Sequence, residues 1–420
     1  MRHNKLRLVH LTSTINGGAG KATQKIHNMM ISQGFNSSLI VGQEIKNKNF
    51  FLRLKFELKK IIKIFIPKFI LVKRKNKKYN KYVSAYCFYQ KNELKTKGIN
   101  RQLLQKISKI DILFIHWVSD FVNIHDIKYF KSKFNCRIIF VMLDHAHVSG
   151  GYHFLLNEYN NYLDNNNIKI NRPEYLLYSK QLEQKGSILN QIPTEILVFS
   201  NKDLQIAKDS PLKFKNYWRT VIPIENEIFY PILDSKKDSS LKTIFSCAYD
   251  LSDFRKGSVI FIKVLKHLDN LLRENQKIRV LCSKYAPISD LNLKNIFFDF
   301  FEFSNNPVEY SKLYHQSDIF IFSSIADSAP QMPSEALYSG LPVVSFNIAN
   351  ISEIVTDEND GFIVDNFDDE IMANKSYELL YETNKINSKE NKLKRYHKIK
   401  RYHEPRNIMR YLDRVIRKGV

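Results

Sequence analysis

Two carboxylates stand eight positions apart in Asp327-Ser328-Ala329-Pro330-Gln331-Met332-Pro333-Ser334-Glu335. They bracket a loop and a helix start, and Ser328 or Ser334 is suited to cap that helix. A carboxylate at the edge of a sheet accepts hydrogen bonds from ribose or hexose hydroxyls; a capping Glu is the other reading of Glu335. Upstream, Arg255-Lys256-Gly257 follows an apolar run and precedes a helical pattern. Two cations at the C-terminal edge of a parallel sheet stand where such sheets bind ligands. They could neutralise a leaving diphosphate, whose charge grows as a glycosidic bond breaks; a solvated pair is the alternative. Near the start, Asn16-Gly17-Gly18-Ala19-Gly20 lets backbone approach a ligand at a helix N-terminus, which favours negative charge. It is not a P-loop, since Ile15 takes the place of the first glycine and Ala22 follows Lys21. It is not the dinucleotide fingerprint either, since Thr23 replaces the third glycine. A tight strand-to-helix turn remains open there.

The elements that must position these groups alternate. Leu6–Leu11, Ser38–Val41, Ile110–Ile115, Arg137–Leu143 and Glu195–Ser200 read as buried strands in the first half. Lys242–Ala248, Ile278–Cys282, Ile296–Phe298, Ile319–Phe322 and Pro342–Phe346 repeat the pattern in the second. Helix-like segments between them imply an α/β chain with two parallel, doubly wound sheets. Pro223 and Pro231 mark the join. The expected domains are 1–230, 231–400 and a basic helix over 401–420 that packs back on the first. Ile371–Glu390 reads as one surface helix.

Length and charge narrow the partners. A chain of 420 residues exceeds one ordinary core, which favours two domains. The formal net charge of +23 must face something anionic, whether nucleic acid, membrane or phosphorylated substrate. Two segments carry most of it: Arg53–Lys81 at a net +11 and Lys392–Val420 at a net +9. In the first, Leu54, Leu58, Ile61, Ile62 and Phe65 recur at helical spacing before the cluster Lys73-Arg74-Lys75-Asn76-Lys77-Lys78. Such a basic amphipathic insertion suits an anionic bilayer surface. No nucleic-acid reading motif accompanies it, so nucleic acid is not an expected partner. Cys87, Cys136, Cys247 and Cys282 lack metal-ligand spacing, and reduced thiols are expected. The opening apolar run is too short for a signal peptide, and no uncharged apolar run reaches the ~18 residues of a spanning helix.

Together these stretches resemble family-4 glycosyltransferases of the GT-B fold. Asp327 to Glu335 looks like the family's E-x7-E region, continuing as Ala336-Leu337-Tyr338-Ser339-Gly340-Leu341-Pro342-Val343-Val344. Ser352-Glu353-Ile354-Val355 and Asp360-Gly361-Phe362-Ile363-Val364 match the stretch that follows, with Ser352 in place of proline. Arg255 and Lys256 match the donor-phosphate cations, and Gly17–Gly20 the N-terminal glycine loop. Asp111–Val118 and Asp144–Phe154 resemble motifs of bacterial capsule, exopolysaccharide and lipopolysaccharide sugar transferases. There are departures: Asp327 is one methylene shorter than the usual glutamate, Phe114 and Leu143 replace histidines, and Tyr152 replaces a cysteine.

The resemblance implies two Rossmann-like domains facing a cleft, with a nucleotide-sugar donor held by the second and no cofactor or obligatory metal. Asp327, Glu335, Arg255 and Lys256 would carry catalysis. Gly18, Ser328, Ala329 and Pro330 would join Arg255, Lys256 and Glu335 in binding the donor. Gly17, His116, Asp144, His145 and His153 would serve the acceptor, although a histidine satisfied in the core is an equal reading of His116 or His153. The implied activity is retaining transfer of a sugar to a lipid-linked or growing glycan. The expected place is the cytoplasm, peripherally on the inner face of the membrane. A nucleotide-sugar 2-epimerase and a degenerate glycan-binding subunit are the competing readings.

Overall fold

The structure, a computed structural model, describes residues 6–43, 99, 107–119, 121–154, 172–225, 227–233, 241–248, 250–284, 286–302, 304, 306–383 and 386–418. The basic amphipathic segment 53–81 and Cys87 lie outside them. The chain forms two compact units: 1–198 with 206–218 and 415–420, and 199–205 with 219–414. The second takes over at Arg219, ahead of the expected 230/231, because Arg219 pairs with Glu353 and the Tyr230 carbonyl accepts from His315.

In the first unit β1 (Arg7–Thr12), β2 (Asn36–Val41), β3 (Ile112–Ile115), β4 (Arg137–Val141), β5 (Thr194–Val198) and β6 (Asn216–Arg219) form one sheet in the order β2-β1-β3-β4-β5-β6. The pairings from β2 through β5 are parallel. Helix α1 (Gly17–Ser32) links β1 to β2, and the chain then returns to the other side of β1 as β3. That reversal is a topological switch point. All four residues of β3 and all five of β5 are buried, as strands covered on both faces require. Within this unit Arg137 donates to the carbonyls of Val415 (2.9 Å) and Ile416 (2.8 Å) and forks onto Glu195.

The second unit repeats the plan. Its sheet comprises β7 (Leu241–Ser246), β8 (Lys277–Ser283), β9 (Ile296–Phe301), β10 (Ile319–Phe322), β11 (Val343–Phe346) and β12 (Gly361–Val364), in the order β12-β11-β10-β7-β8-β9 and wholly parallel. The switch falls between β7 and β10, so the ends of those two strands open the crevice where such a sheet takes ligands. The expected single helix over Ile371–Glu390 is two. One runs over Asp369–Tyr377, continues as a wider turn to Glu382, and ends; the next starts at Lys389 behind the Ser388 cap. Met372 and Ala373 are buried, so the first is not a surface helix. No helix among the described residues is long and apolar enough to cross a membrane.

Candidate functional site

After β7 the chain makes one tight turn, Phe254–Lys256, before the helix Ser258–Leu271. Asp253 sets it by accepting from the Arg255 amide. Gly257 ends it at φ +67°, where a Cβ would lie 1.8 Å from the Ser323 carbonyl oxygen. Only glycine fits, because the left-handed backbone and the packing against the β10 exit both exclude a side chain. The two strand ends are stitched together: Ile325 N–H donates to Arg255 O (2.9 Å), and Ser323 Oγ to Lys256 O (3.1 Å). Gly257→Ala is expected to cost roughly 2–4 kcal/mol, from backbone strain plus overpacking, as a lowered urea midpoint will register.

This stitching brings the sequence-selected charges together across 71 positions. Lys256 Nζ lies 2.6 Å from Asp327 Oδ2. Arg255 reaches Asp327 Oδ2 at 3.3 Å, the Ala326 carbonyl at 2.9 Å and Asp253 Oδ2 at 3.1 Å. Burial alone would raise the Asp327 pKa, but the Lys256 ammonium and the Arg255 guanidinium outweigh it and hold it below the usual range. Lys256 is shifted down by burial and by Arg255, with Asp327 opposing. At neutral pH the site is two cations against two carboxylates, held by groups that can exchange one anionic partner for another.

Ser328 and Ser334 do not cap the next helix, Gln331–Tyr338. Its N-cap is Pro330, with no side-chain hydrogen bond. Ser328 Oγ instead donates to Asp203 Oδ2 (2.9 Å), and Ser334 Oγ is bonded to His403 Nε2 (3.1 Å). Ala329 adopts φ +51°, turning the chain sharply into the helix. No side chain caps the first N–H groups of that helix, those of Gln331 and Met332 ahead of Pro333, and an uncapped helix start attracts an anion. Glu335 sits in the second turn rather than at the start. Tyr314 Oη lies 3.2 Å from its Oε2 and 3.1 Å from the Met332 carbonyl, so one hydroxyl proton is shared between them. The helix ends as expected at Gly340 (φ +80°), with Leu341 N–H on Ala336 O and Gly340 N–H on Leu337 O. Buried Arg395 then donates twice to the Gly340 carbonyl.

The acceptor-side candidates all belong to the first unit: Gly17 follows β1, His116 follows β3, and Asp144, His145 and His153 follow β4. Gly17 begins α1 at φ +75°, and a Cβ at Gly17 or Gly18 would meet nothing within 4 Å. Gly20 is the packing glycine of that loop, its missing Cβ only 2.4 Å from Ile15. Asp144 and His153 form a short pair, with Nδ1–H donating to Oδ2 at 2.5 Å. On the far side of the imidazole, Ser119 Oγ is 3.3 Å from Nε2. His145 donates its backbone N–H to the His153 carbonyl at 2.7 Å, and its ring lies beside Phe154. His116 is wholly buried and bonded to His10, so the structure places it in the core and not beside Asp144. Sequence reasoning missed Asp253, Asp203, Tyr314 and His403. Of these only Asp253, two residues before Arg255, carried a local signal. Among the described residues no three His, Cys, Asp or Glu side chains are arranged to hold a metal ion.

Residues 237–400 match the family model described as glycosyl transferases group 1. No curated protein matches by sequence. Solved structures share the fold. Sucrose-phosphate synthase from Thermosynechococcus elongatus superposes with a TM-score of 0.64 at 11% identity, covering 98% of each chain. HepE from Anabaena, in complex with UDP-glucose, gives 0.61 at 11% identity over 98% of this chain and 99% of its own. A glycosyltransferase from Rickettsia africae gives 0.58 at 14% identity over 99% and 98%. The second unit thus carries a group 1 glycosyltransferase domain, and the chain is a glycosyltransferase with two Rossmann-like domains of the GT-B kind.

Proposed function

We propose that the protein is a retaining glycosyltransferase of family 4 that moves a sugar from a nucleoside-diphosphate sugar to a lipid-linked or growing glycan in cell-surface polysaccharide biosynthesis. The observation that carries this reading is the Arg255–Lys256–Asp327 cluster at the switch point of the second sheet. The cations receive the diphosphate, aided by the uncapped helix start at Pro330. Their pull grows as the C1–oxygen bond to the diphosphate breaks and charge collects on the leaving group. Asp327, released from part of its ion pair, takes donor sugar hydroxyls, and Glu335 takes the ribose. The acceptor oxygen forms its bond to C1 while its proton passes to a departing phosphate oxygen, so no side-chain nucleophile and no obligatory metal are required.

On the acceptor side, Gly17 and Gly18 leave room for backbone to approach a ligand. His153 presents Nε2 to an acceptor hydroxyl, with Asp144 fixing the tautomer through Nδ1–H. A membrane-bound lipid carrier of the acceptor agrees with the basic composition and a peripheral location on the inner face of the cytoplasmic membrane.

The test is a thermal-shift screen across nucleotide-sugars. A donor at a hundred times its Kd stabilises the folded chain by ~2.7 kcal/mol. One nucleotide-sugar is expected to raise the melting temperature, and Glu335→Gln to weaken that shift at unchanged melting of the free protein. No shift with any donor would refute the reading. Isomerisation of the bound sugar without acceptor would replace it with an epimerase.

A further inference from the structure

The last helix, Pro405–Arg417, has a face that the transfer chemistry does not use. Its apolar residues Ile408, Met409, Leu412, Val415 and Ile416 are buried. Arg406, Arg410 and Arg414 are exposed and recur every four residues, so they form one row along the helix. At ~1.5 Å rise per residue the row is ~12 Å long. The preceding helix, Lys389–Tyr402, is also basic, but two of its cations are answered by carboxylates, Lys394 by Glu390 at 2.7 Å and Lys398 by Asp357 at 2.6 Å and by Asp360, and Arg395 is spent on carbonyls. Arg406, Arg410 and Arg414 have no ion pair among the described residues.

The residue choice is selective. The chain holds 48 lysines and 17 arginines, yet from Arg401 to Arg417 it uses five arginines and no lysine. A solvated basic face would be expected to follow the bulk preference for lysine. Guanidinium differs from ammonium in binding phosphate oxygens two at a time through a rigid fork, and in holding water less tightly.

We propose that the Arg406–Arg410–Arg414 row is a docking surface for the phosphate headgroups of an anionic bilayer. The apolar side of this helix is spent on the protein core, so the helix cannot insert. Attachment there is electrostatic, shallow and sensitive to salt, which separates it from the insertion expected of a free amphipathic helix. The tyrosine within the row, Tyr411, is engaged by the Arg219 amide, which disfavours its use as a stacking platform for single-stranded nucleic acid. The inference rests on the membrane side of the proposed function and not on its sugar chemistry. Vesicle binding and the nucleotide-sugar shift therefore fail independently.

The experiment is sedimentation of the full chain with vesicles of phosphatidylcholine alone or with 30% phosphatidylglycerol, taken as roughly the anionic share of a cytoplasmic leaflet. The parent is expected in the pellet only with the anionic lipid, and to leave it at ~0.5 M salt. The triple substitution Arg406→Gln, Arg410→Gln, Arg414→Gln should lower the partition coefficient on the order of a hundredfold, since each cation near such a surface contributes about fivefold. The corresponding triple lysine variant should fall between, with melting temperatures of both variants matching the parent to show that the fold is intact. A glutamine variant that binds within threefold of the parent overturns the proposal. Tighter capture of the parent by a single-stranded oligonucleotide than by vesicles of equal phosphate content also overturns it.

Discussion

Lys256→Ala is expected to slow sugar transfer on the order of a hundredfold or more, the loss of ~3 kcal/mol of charge stabilisation at the transition state. The reason is positional. Lys256 ends a turn that only Gly257 can close, at the mouth of the crevice between β7 and β10, and its ammonium already holds an anionic oxygen of Asp327 at 2.6 Å. A leaving diphosphate would compete for the same ammonium. Because the diphosphate gains charge only as the bond breaks, the loss should fall on kcat more than on donor affinity. Asp327→Ala should impair turnover at least as strongly, and the double variant should lose less than the product of the two single losses, since the residues share one interaction. The measurement is initial rate at saturating donor, with the urea midpoint followed in parallel to separate chemistry from folding. Unaltered turnover by Lys256→Ala would remove the cation from the reaction.

The charged residues of this site are visible in the sequence because each lies at the exit of a recognisable buried strand. Ile319–Phe322 is apolar throughout, bounded by polar turns, and could be placed without knowing what it pairs with. The pairing of Lys256 with Asp327 was not visible, since it depends on β10 lying beside β7 rather than beside β9, a matter of sheet order that local pattern does not encode. The short strands β6 and β12 escaped for a related reason. Asn-Tyr-Trp-Arg and Gly-Phe-Ile-Val are four residues each, on sheet edges, where partial exposure removes the continuous apolar signal. The helix Gln331–Tyr338 was expected to start at a serine cap, but Pro330 can enter it directly with φ −59° and leaves both serines for tertiary bonds. His116 stood out beside Trp117 as a ligand for the acceptor. Its burial follows from β3 being covered on both faces, and its partner His10 is a strand residue with no local mark of function.

That buried pair leads to the second large effect, acid destabilisation. His10 Nδ1 and His116 Nε2 lie 2.8 Å apart, and His10 stacks on Phe114 with ring centroids 4.7 Å apart. One imidazole must donate to the other, so one further N–H in the pair has no partner whichever tautomer holds; the outer nitrogens, His10 Nε2 and His116 Nδ1, find none among the described residues. His147 donates from Nε2 to the His116 carbonyl at 2.7 Å. Burial pushes the pKa of His10 down to about 3, with the charge of His27 adding to it. Burial likewise takes His147 to about 4, although Asp144 opposes, and lowers His116 well below the ordinary value. All three are neutral in the folded chain at neutral pH. The unfolded chain protonates them near the ordinary histidine value of about 6.5, so as pH falls below that point the unfolded state binds protons the folded state refuses. Stability present above pH ~6.5 is therefore lost as pH falls, until His147 protonates in the folded chain at about 4 and His10 at about 3. Between pH 7.5 and 5.5 each histidine removes ~1.4 kcal/mol, or about 4 kcal/mol for the three. Asp144, whose pKa is lowered by His153 against the effect of burial, contributes its own loss only below the ordinary carboxylate range, outside this window. Urea unfolding followed by fluorescence across that range should show the midpoint falling steeply below pH 6.5. His147→Gln, which keeps an N–H for the His116 carbonyl but cannot titrate, should flatten the slope by about one proton. A midpoint independent of pH between 7.5 and 5.5 would show that these imidazoles reach water, or their charges reach a carboxylate, before the chain unfolds.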